Sequence, residues 1–572
     1  ALFKQSTNAL PAPALRLFIA LSAFGGDEFG RNAAIALAQA LDVDSPAYTI
    51  DLLVLRALLD SSRSAPPVGD KTRDYERLHL HPLLHAFAYA EFIKQEKDDQ
   101  RRAYSAIARY YAAYVQRASI AALDADQANI YAAIRWAFEQ QEWALVVDLC
   151  LHMRGFWREK WLAVDSVDLL EKGMEAATTL INQDPTTERE RDHADLRLAR
   201  ARALRRLYRL DDAENTVDAE LAYRRTIVDR DGEANALRLL GEIYQLRGKL
   251  QRAKDYYEES LHIWHDLRGG RRSEGAVLGY IGRIEHLRAN YTAATDYFAD
   301  SLKIAEEVQD RRGIGRVHSS LGQVELARGD MAIAQEEFKQ ALDILRREGD
   351  KYGESDALTG MGRLAIDHRK FEEAENYLRQ SLKIDQEISD RAGEGVDRSL
   401  LAQVELERGH LEKARHEFEA NVRLRREVRD ARGEGVDLSF LGRIALEQGR
   451  LDEARIRFTE ALKFAREVEN IRGQGATLNQ LGVVALLASD AVNARSYLAE
   501  SLRIAQSMGL DTDIARSMLS LGRAAIVLDG DQQTGCRYVS EAIRINTDRG
   551  RTLDLERAQT FARSLGCSSA SE

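Results

Sequence analysis

Beyond Pro185 the chain has no proline: Pro11, Pro13, Pro46, Pro66, Pro67, Pro82 and Pro185 all precede residue 186 of 572. Proline breaks helix interiors, so the rest of the chain is free to run helix upon helix, and composition alone puts a boundary near residue 186. Cysteine is almost missing. Cys150, Cys536 and Cys567 lie far apart and form no CxxC pair, which speaks against a disulfide framework or zinc ribbon and fits a reducing cytoplasm. No run of about 18 uncharged apolar residues is present, so nothing is fit to span a bilayer and no membrane role is expected. Excess positive charge is missing too: 81 Lys+Arg against 92 Asp+Glu give a net −11. That excludes a general polyanion binder, whose affinity comes from neutralising phosphates. There is no GxxxxGK[ST], hence no loop to cradle triphosphate and magnesium, and the chain is expected to hold no cofactor and to be no enzyme. At this length one ordinary globular core is excluded as well.

What fills the proline-free part is periodic. Gly322, Gly362, Ala402, Gly442, Gly482 and Gly522 recur every 40 residues. Read backwards, the register gives Gly282, then Gly241 after a one-residue slip, then a fainter match at Ala201. Eight clear units and a degenerate one upstream predict a solenoid. Within one unit Val317, Leu321 and Val324 recur at helical spacing, then Gly329-Asp330, then Ala334, Phe338, Leu342 and Leu345 at helical spacing again. Each unit therefore reads as a helical hairpin whose turn glycine supplies a left-handed cap. A glycine inside the first helix costs about 1 kcal/mol against alanine, so a packing reason is expected, and Ala334 and its equivalents are expected to face it.

A Leu-Gly pair, an aliphatic residue or Tyr three later, a turn, Ala, then an aromatic four later resembles the tetratricopeptide repeat over roughly residues 233 to 566. The family's usual period is 34 residues. Longer second helices and a separate loop at Asp310-Arg311-Arg312-Gly313, Asp390-Arg391-Ala392-Gly393 and Asp430-Ala431-Arg432-Gly433 are expected to account for the difference.

The front end reads as three amphipathic helices, Pro13 to Phe24, Arg31 to Leu41 and Ala47 to Leu59. A Ser/Pro/Gly-rich stretch, Ser61 to Lys71, then leads to a strand-like alternation, Tyr75-Glu76-Arg77-Leu78-His79-Leu80. Three helices followed by a hairpin describe a winged helix. The next segment, Leu80-His81-Pro82-Leu83-Leu84-His85-Ala86-Phe87-Ala88, resembles the Met-His-Asp motif region of STAND proteins, the signal transduction ATPases with numerous domains. Leu80 and Pro82 depart from the motif at both flanks. The resemblance implies that His81 senses nucleotide near ATP or ADP phosphates in an intact parent protein. Asp126-Gln127-Ala128-Asn129-Ile130-Tyr131-Ala132-Ala133-Ile134-Arg135-Trp136-Ala137 is similar to the segment that enters the repeats of such regulators. Beginning at Ala1 and lacking a signal-peptide pattern, the chain reads as a fragment whose nucleotide-binding module was cut away. His81 and His85 have metal-ligand spacing, but no nearby cysteine or carboxylate completes a site. Trp136, Trp143, Trp157 and Trp161 read as core filler at the junction. Residues 1–103 carry twelve Lys+Arg against thirteen Asp+Glu, and the third helix has only Arg56 as a cation, so DNA binding is disfavoured.

In tetratricopeptide solenoids the first helix of each unit lines the concave face. The residue after the packing glycine gives a row that includes Arg283, Arg363, Arg443 and Arg523; three before the glycine come Arg238, Ser319, Thr359, Ser399, Ser439 and Asn479. Together they predict a polar trough suited to carboxylate or phosphate, unless the arginines simply pair with neighbouring acids. The expected fold is all-α apart from a small wing. It comprises a winged-helix-like domain over 1–103, a helical junction with degenerate repeats over 104–232, a right-handed tetratricopeptide superhelix over 233–566 and a disordered tail at 567–572. The expected function is the sensor and arm of a STAND-type regulator that binds a protein, peptide or small anionic inducer in its groove. The alternatives are a stand-alone protein-interaction scaffold and, disfavoured by charge, a DNA-binding regulator.

Overall fold

The computed structural model describes residues 7, 9–63, 76–160, 163–267, 269–548 and 552–567. It divides into two compact units, Ala1–Tyr223 and Arg224–Glu572. No described helix is long and apolar enough to cross a membrane.

The first unit begins with α1 (Ala12–Ala20), β1 (Glu28–Gly30), α2 (Arg31–Ala40), α3 (Pro46–Leu55), β2 (Asp60–Arg63), β3 (Glu76–His79) and α4 (Pro82–Phe92). Prolines open α1, α3 and α4, where a missing N–H costs nothing. The strands form an antiparallel sheet in the order β1-β3-β2, with Phe29 and Ser61 both opposite Leu78. β1 was not expected: three residues are too few to show a period of two, although Phe29 is fully buried. β2 occupies the start of the stretch read as loop. Residues 64–75, including Tyr75, lie outside the described residues.

Helices α5 (Lys97–Val115), α6 (Ile120–Ala125), α7 (Gln127–Glu139), α8 (Trp143–Glu159), α9 (Ala163–Gln183), α10 (Thr187–Arg206) and α11 (Leu210–Thr226) follow. Asp126, between α6 and α7, ties this part to the sheet. Arg77 of β3 donates to its Oδ2 at 3.0 Å and Tyr111 of α5 to its Oδ1 at 2.9 Å. The charged side chains are only 4% and 3% exposed. Trp136 and Trp157 are buried in the same core, Trp157 donating to the Tyr131 hydroxyl at 2.8 Å. Trp161 lies outside the described residues.

The second unit contains eight hairpins: hairpin 1 (Arg230–Leu246, Leu250–Asp266), hairpin 2 (Arg271–Leu287, Tyr291–Glu307), hairpin 3 (Arg311–Arg328, Met331–Arg347), hairpin 4 (Lys351–Asp367, Phe371–Glu387), hairpin 5 (Arg391–Glu407, Leu411–Glu427), hairpin 6 (Ala431–Glu447, Leu451–Glu467), hairpin 7 (Ile471–Leu487, Ala491–Ser507) and hairpin 8 (Asp511–Asp529, Gln532–Asp548). In hairpin 6 both helices have 17 residues, and with short connectors they fill the period. The supposed separate loop is in fact a cap. Asp310, Asp350, Asp390, Asp430 and Asn470 each accept from the backbone N–H three residues on, at 2.9–3.3 Å. Arg311 onward is already helix. The extra length therefore resides in the helices.

The helix-interior glycines also pack differently from expectation. A Cβ at Gly322 would meet the Phe338 ring at 2.8 Å, at Gly362 Leu378 at 2.6 Å and at Gly442 Phe458 at 2.8 Å. The glycine thus makes room for the large side chain sixteen residues on rather than for the alanine twelve on. Turn glycines Gly248, Gly329, Gly409 and Gly449 have φ of 75°, 96°, 84° and 73°, the predicted left-handed cap.

Cys536 and Cys567 are joined by a disulfide that spans 31 residues, and Cys150 is free and buried. This corrects the cysteine reading, because wide sequence spacing says nothing about spatial proximity. Cys567 therefore belongs to the folded part, and only 568–572 of the expected tail lie outside the described residues.

Candidate functional site

First helices of neighbouring hairpins touch one another as well as their own partners, which puts them on the inner radius of the array. The inner face is narrow. Lys249 in the turn of hairpin 1 donates to the Glu467 carbonyl at 3.1 Å, and Gly248 lies against Val468. Arg472 of hairpin 7 donates to the Tyr291 hydroxyl of hairpin 2 at 3.2 Å. Hairpins 1 and 2 thus meet the end of hairpin 6 and the start of hairpin 7, so the groove winds back on itself.

The trough arginines fall into two groups. Arg238 is ion-paired with Glu242. Arg443 reaches Glu407 of hairpin 5 at 2.8 Å and Glu447 at 3.1 Å. Arg283, Arg363 and Arg523 form no ion pair among the described residues. Arg283 instead lies over the Tyr280 ring at 4.6 Å, a ring that also stacks on Tyr257 at 5.2 Å. Arg363 is open to water yet hemmed in by the surrounding hairpins. Desolvation pulls its pKa below the usual arginine value although Asp356 and Asp397 are within electrostatic reach.

The small polar row is already engaged. Ser319 donates to Asp356 at 2.6 Å, Thr359 to Asp397 at 2.8 Å and Ser399 to Asp437, each acceptor lying on the next first helix. Asn479 bonds Ser520 at 3.2 Å. The series stops at Ser439, where Thr477 stands in place of an acceptor aspartate. These hydroxyls therefore join neighbouring units instead of lying free for a ligand. Burial pushes Asp397 up to about 7 and Asp437 up to about 6; Asp385, which accepts from Ser355, is pushed up to about 8.

Three interior residues escaped the sequence reading: His286, Arg432 and Arg472. Arg432 sits in a cap segment expected to be a separate loop and Arg472 in the equivalent segment of hairpin 7, and Arg-Gly recurs there as Arg312-Gly313, Arg432-Gly433 and Arg472-Gly473. That recurrence was the available signal. His286 occupies the register position that Leu326, Ile366, Leu406, Leu446 and Leu486 fill in later hairpins, and that polar exception was the signal for it. Its ring lies 5.7 Å from that of Tyr291, and its Nδ1 is buried without a hydrogen-bond partner. Burial, then the charges of Arg432, Arg363 and Arg472, bring it down to about 4.

In the first unit His81 caps α4, its Nδ1 accepting from the Leu83 N–H at 3.2 Å. Among the described residues no three of His, Cys, Asp or Glu are grouped to hold a metal ion.

These features define a tetratricopeptide-like solenoid. The tetratricopeptide repeat profile matches residues 233–307, 313–387 and 397–467. Among solved structures the chain is similar to a Rap protein complexed with competence and sporulation factor, at 16% identity and a TM-score of 0.48, covering 63% of this chain and 99% of that one. A second is the Rap conjugation gene regulator of plasmid pLS20 in complex with the Phr* peptide, at 13% identity and a TM-score of 0.43, covering 64% and 97%. A third is a STAND protein with a tetratricopeptide repeat sensor from Pyrococcus horikoshii, at 13% identity and a TM-score of 0.34, covering 87% of this chain and 64% of that one. At such TM-scores the likeness carries nothing about ligands. No curated protein matches the chain in sequence.

Proposed function

We propose that the chain is the sensor and arm portion of a STAND-type signalling regulator. The solenoid binds an inducer or partner protein on its concave face. A winged-helix-like domain over 1–103, continued by a junction over 104–232, relays occupancy to a nucleotide-binding module carried elsewhere in the parent protein, where ATP or ADP would bind. The observation that carries the reading is unpaired charge: among the described residues Arg283, Arg363 and Arg523 form no ion pair, whereas Arg238 and Arg443 are already neutralised. A protein, a peptide or a small anionic inducer finds ready cations there. The order of helices and strands in the first 92 residues supports the winged-helix assignment. His81, a helix cap in this chain, is the residue assigned to nucleotide sensing in the parent.

Two measurements test this. A strand, a GxxxxGK[ST] loop and a helix encoded upstream in the same reading frame are expected; their absence would leave the stand-alone scaffold. Binding of an acidic peptide with a free C-terminus should fall much more for Arg283→Ala and Arg363→Ala than for Arg328→Ala and Arg408→Ala. The latter two lie at hairpin turns and already pair with Glu325 and with Glu375. Equal losses at turn and interior positions would count against the groove. The isolated chain is expected to hydrolyse no ATP.

A further inference from the structure

We propose that Asp385 and Asp397 hold a proton each inside the joint between hairpins 4 and 5, and that the loss of these protons frees the joint to move. Both carboxyls are buried, 2% and 0% exposed, and both belong to one hydrogen-bonded chain. Asp385 contacts the Ser355 hydroxyl, Ser355 contacts Ser381 at 2.9 Å, Ser381 contacts Thr359 at 2.9 Å, and Thr359 contacts Asp397 Oδ1 at 2.8 Å. Ser381 also donates to the Ser355 carbonyl at 3.0 Å. Three hydroxyls carry three protons for these five contacts. With both carboxyls ionised, Ser355 donates to Asp385, Thr359 to Asp397 and Ser381 to the carbonyl, and no proton remains to join Ser381 to its two neighbours. A proton on each acid completes the set. Asp385 then donates to Ser355 and Asp397 to Thr359, and these hydroxyls turn to Ser381, whose oxygen has a lone pair for each. Asp397 Oδ2 is buried without a hydrogen-bond partner; the neutral acid leaves a carbonyl oxygen there, whereas the ionised one leaves unsolvated charge.

The repeat register sets this joint apart. Where hairpin 4 has Ser355, other hairpins have Gly315, Gly395, Gly435 and Gly475; where it has Asp385, they have Leu345, Arg425, Ala465 and Ala505. Asp385 also reaches across the joint, its Oδ2 filling the space that a side chain at Gly393 of hairpin 5 would need. In hairpin 5, Arg425 and Asn421 stand in the register of Asp385 and Ser381. They give Asp437 a fixed cation at 3.7 Å and an amide donor at 2.8 Å, so the next joint has built-in donors where this one needs protons. Around the pair, Arg363 and Asp356 come from the first helix of hairpin 4 and Asp390 from the cap of hairpin 5. Arg425 is held by Asp430, and Asp437 of hairpin 6 by Ser399 and Asn421. Burial raises Asp385 to about 8 against the pull of Ser355, and Asp397 to about 7 against Thr359, Ser381 and Arg363. Because the folded values lie above the unfolded ones, the lock is complete below about pH 4 and is lost as pH rises through 7 to 8.

Infrared difference spectroscopy of the full chain, titrated between about pH 6 and pH 9, reads the protons directly. Carboxylic-acid C=O absorption should disappear over that range, and Asp385→Asn and Asp397→Asn should each remove part of the change. Hydrogen exchange, corrected for its intrinsic pH dependence, reads the joint: opening at 351–361 and 391–401 should rise about tenfold or more over the same range, with hairpins 7 and 8 unchanged. The double variant Asp385→Asn/Asp397→Asn keeps neutral donors at both ends of the chain, and its exchange at the joint should no longer respond to pH. Three results overturn the proposal: no C=O loss in the wild-type chain, an undiminished loss in both single variants, or exchange that rises as steeply in the double variant, or in hairpins 7 and 8, as at the wild-type joint. The groove assignment is untouched by any of these, because the acidic-peptide experiment reads Arg283 and Arg363 at one pH.

Discussion

Gly362 shows how one missing side chain sets the spacing of two helices. Leu378 fills the space a Cβ would need, at 2.6 Å, so Gly362→Leu should overpack hairpin 4 and lower stability by about 1–3 kcal/mol. Thermal melting measures the loss, and hydrogen exchange should place it in hairpins 3 to 5, since solenoid stability resides in nearest-neighbour interfaces. The buried aspartates make a second residue-scale prediction. Asp437, Asp397 and Asp385 are raised to about 6, 7 and 8 in the fold and return to about 4 when unfolded. The folded chain therefore holds protons that the unfolded chain releases. Their stabilising contribution is complete below about pH 4 and is lost as pH rises through 6 to 8. Denaturant melts should show stability falling over that window, and Asp385→Asn, which mimics the protonated acid, should flatten the fall above pH 7.

At the scale of elements, the strand that leads into the His81 segment is tied to the start of the Asp126–Ala137 segment. Arg77 of β3 and Asp126 before α7 form a buried pair that joins the sheet to the helices of the same unit. Asp126→Ala removes the buried partner of Arg77 and leaves it only the more exposed Glu28, at 3.2 Å, so the loss in urea unfolding of the first unit should stay below the about 3–5 kcal/mol of a fully unpaired buried charge, with Asp126→Asn costing less still because it keeps the Tyr111 hydrogen bond. The hairpins were legible because most spend a small residue, an alanine and a large apolar side chain at fixed offsets, and a repeated pattern averages away local ambiguity. The cap boxes were misread because Asp-X-X-Gly looks like a loop until its hydrogen bond is seen. β1 was too short to carry a period. The inner face was half legible: Arg363 follows from the repeat register, but the bond from Arg472 to Tyr291 depends on how the array winds, which no single unit encodes. The serines and threonine of the trough recur in the sequence pattern, yet the neighbouring unit's aspartates claim Ser319, Thr359 and Ser399.

For the second unit as a whole, the contact of Lys249 and Gly248 with Glu467 and Val468 joins residues 218 apart. Val468 is buried, so Val468→Asp should break this contact, enlarge the radius of gyration of the second unit in small-angle scattering and speed hydrogen exchange at both 246–250 and 467–470. Unchanged exchange at 246–250 would show that the contact carries no load. An array held only by neighbours bends freely in both directions. A coil whose successive turns already touch is a closed spring: it cannot shorten, it stores no slack, and it yields only to extension or unwinding. Whatever enters the interior is then reported as a change of pitch, in one direction only, at whichever end of the array is free to move.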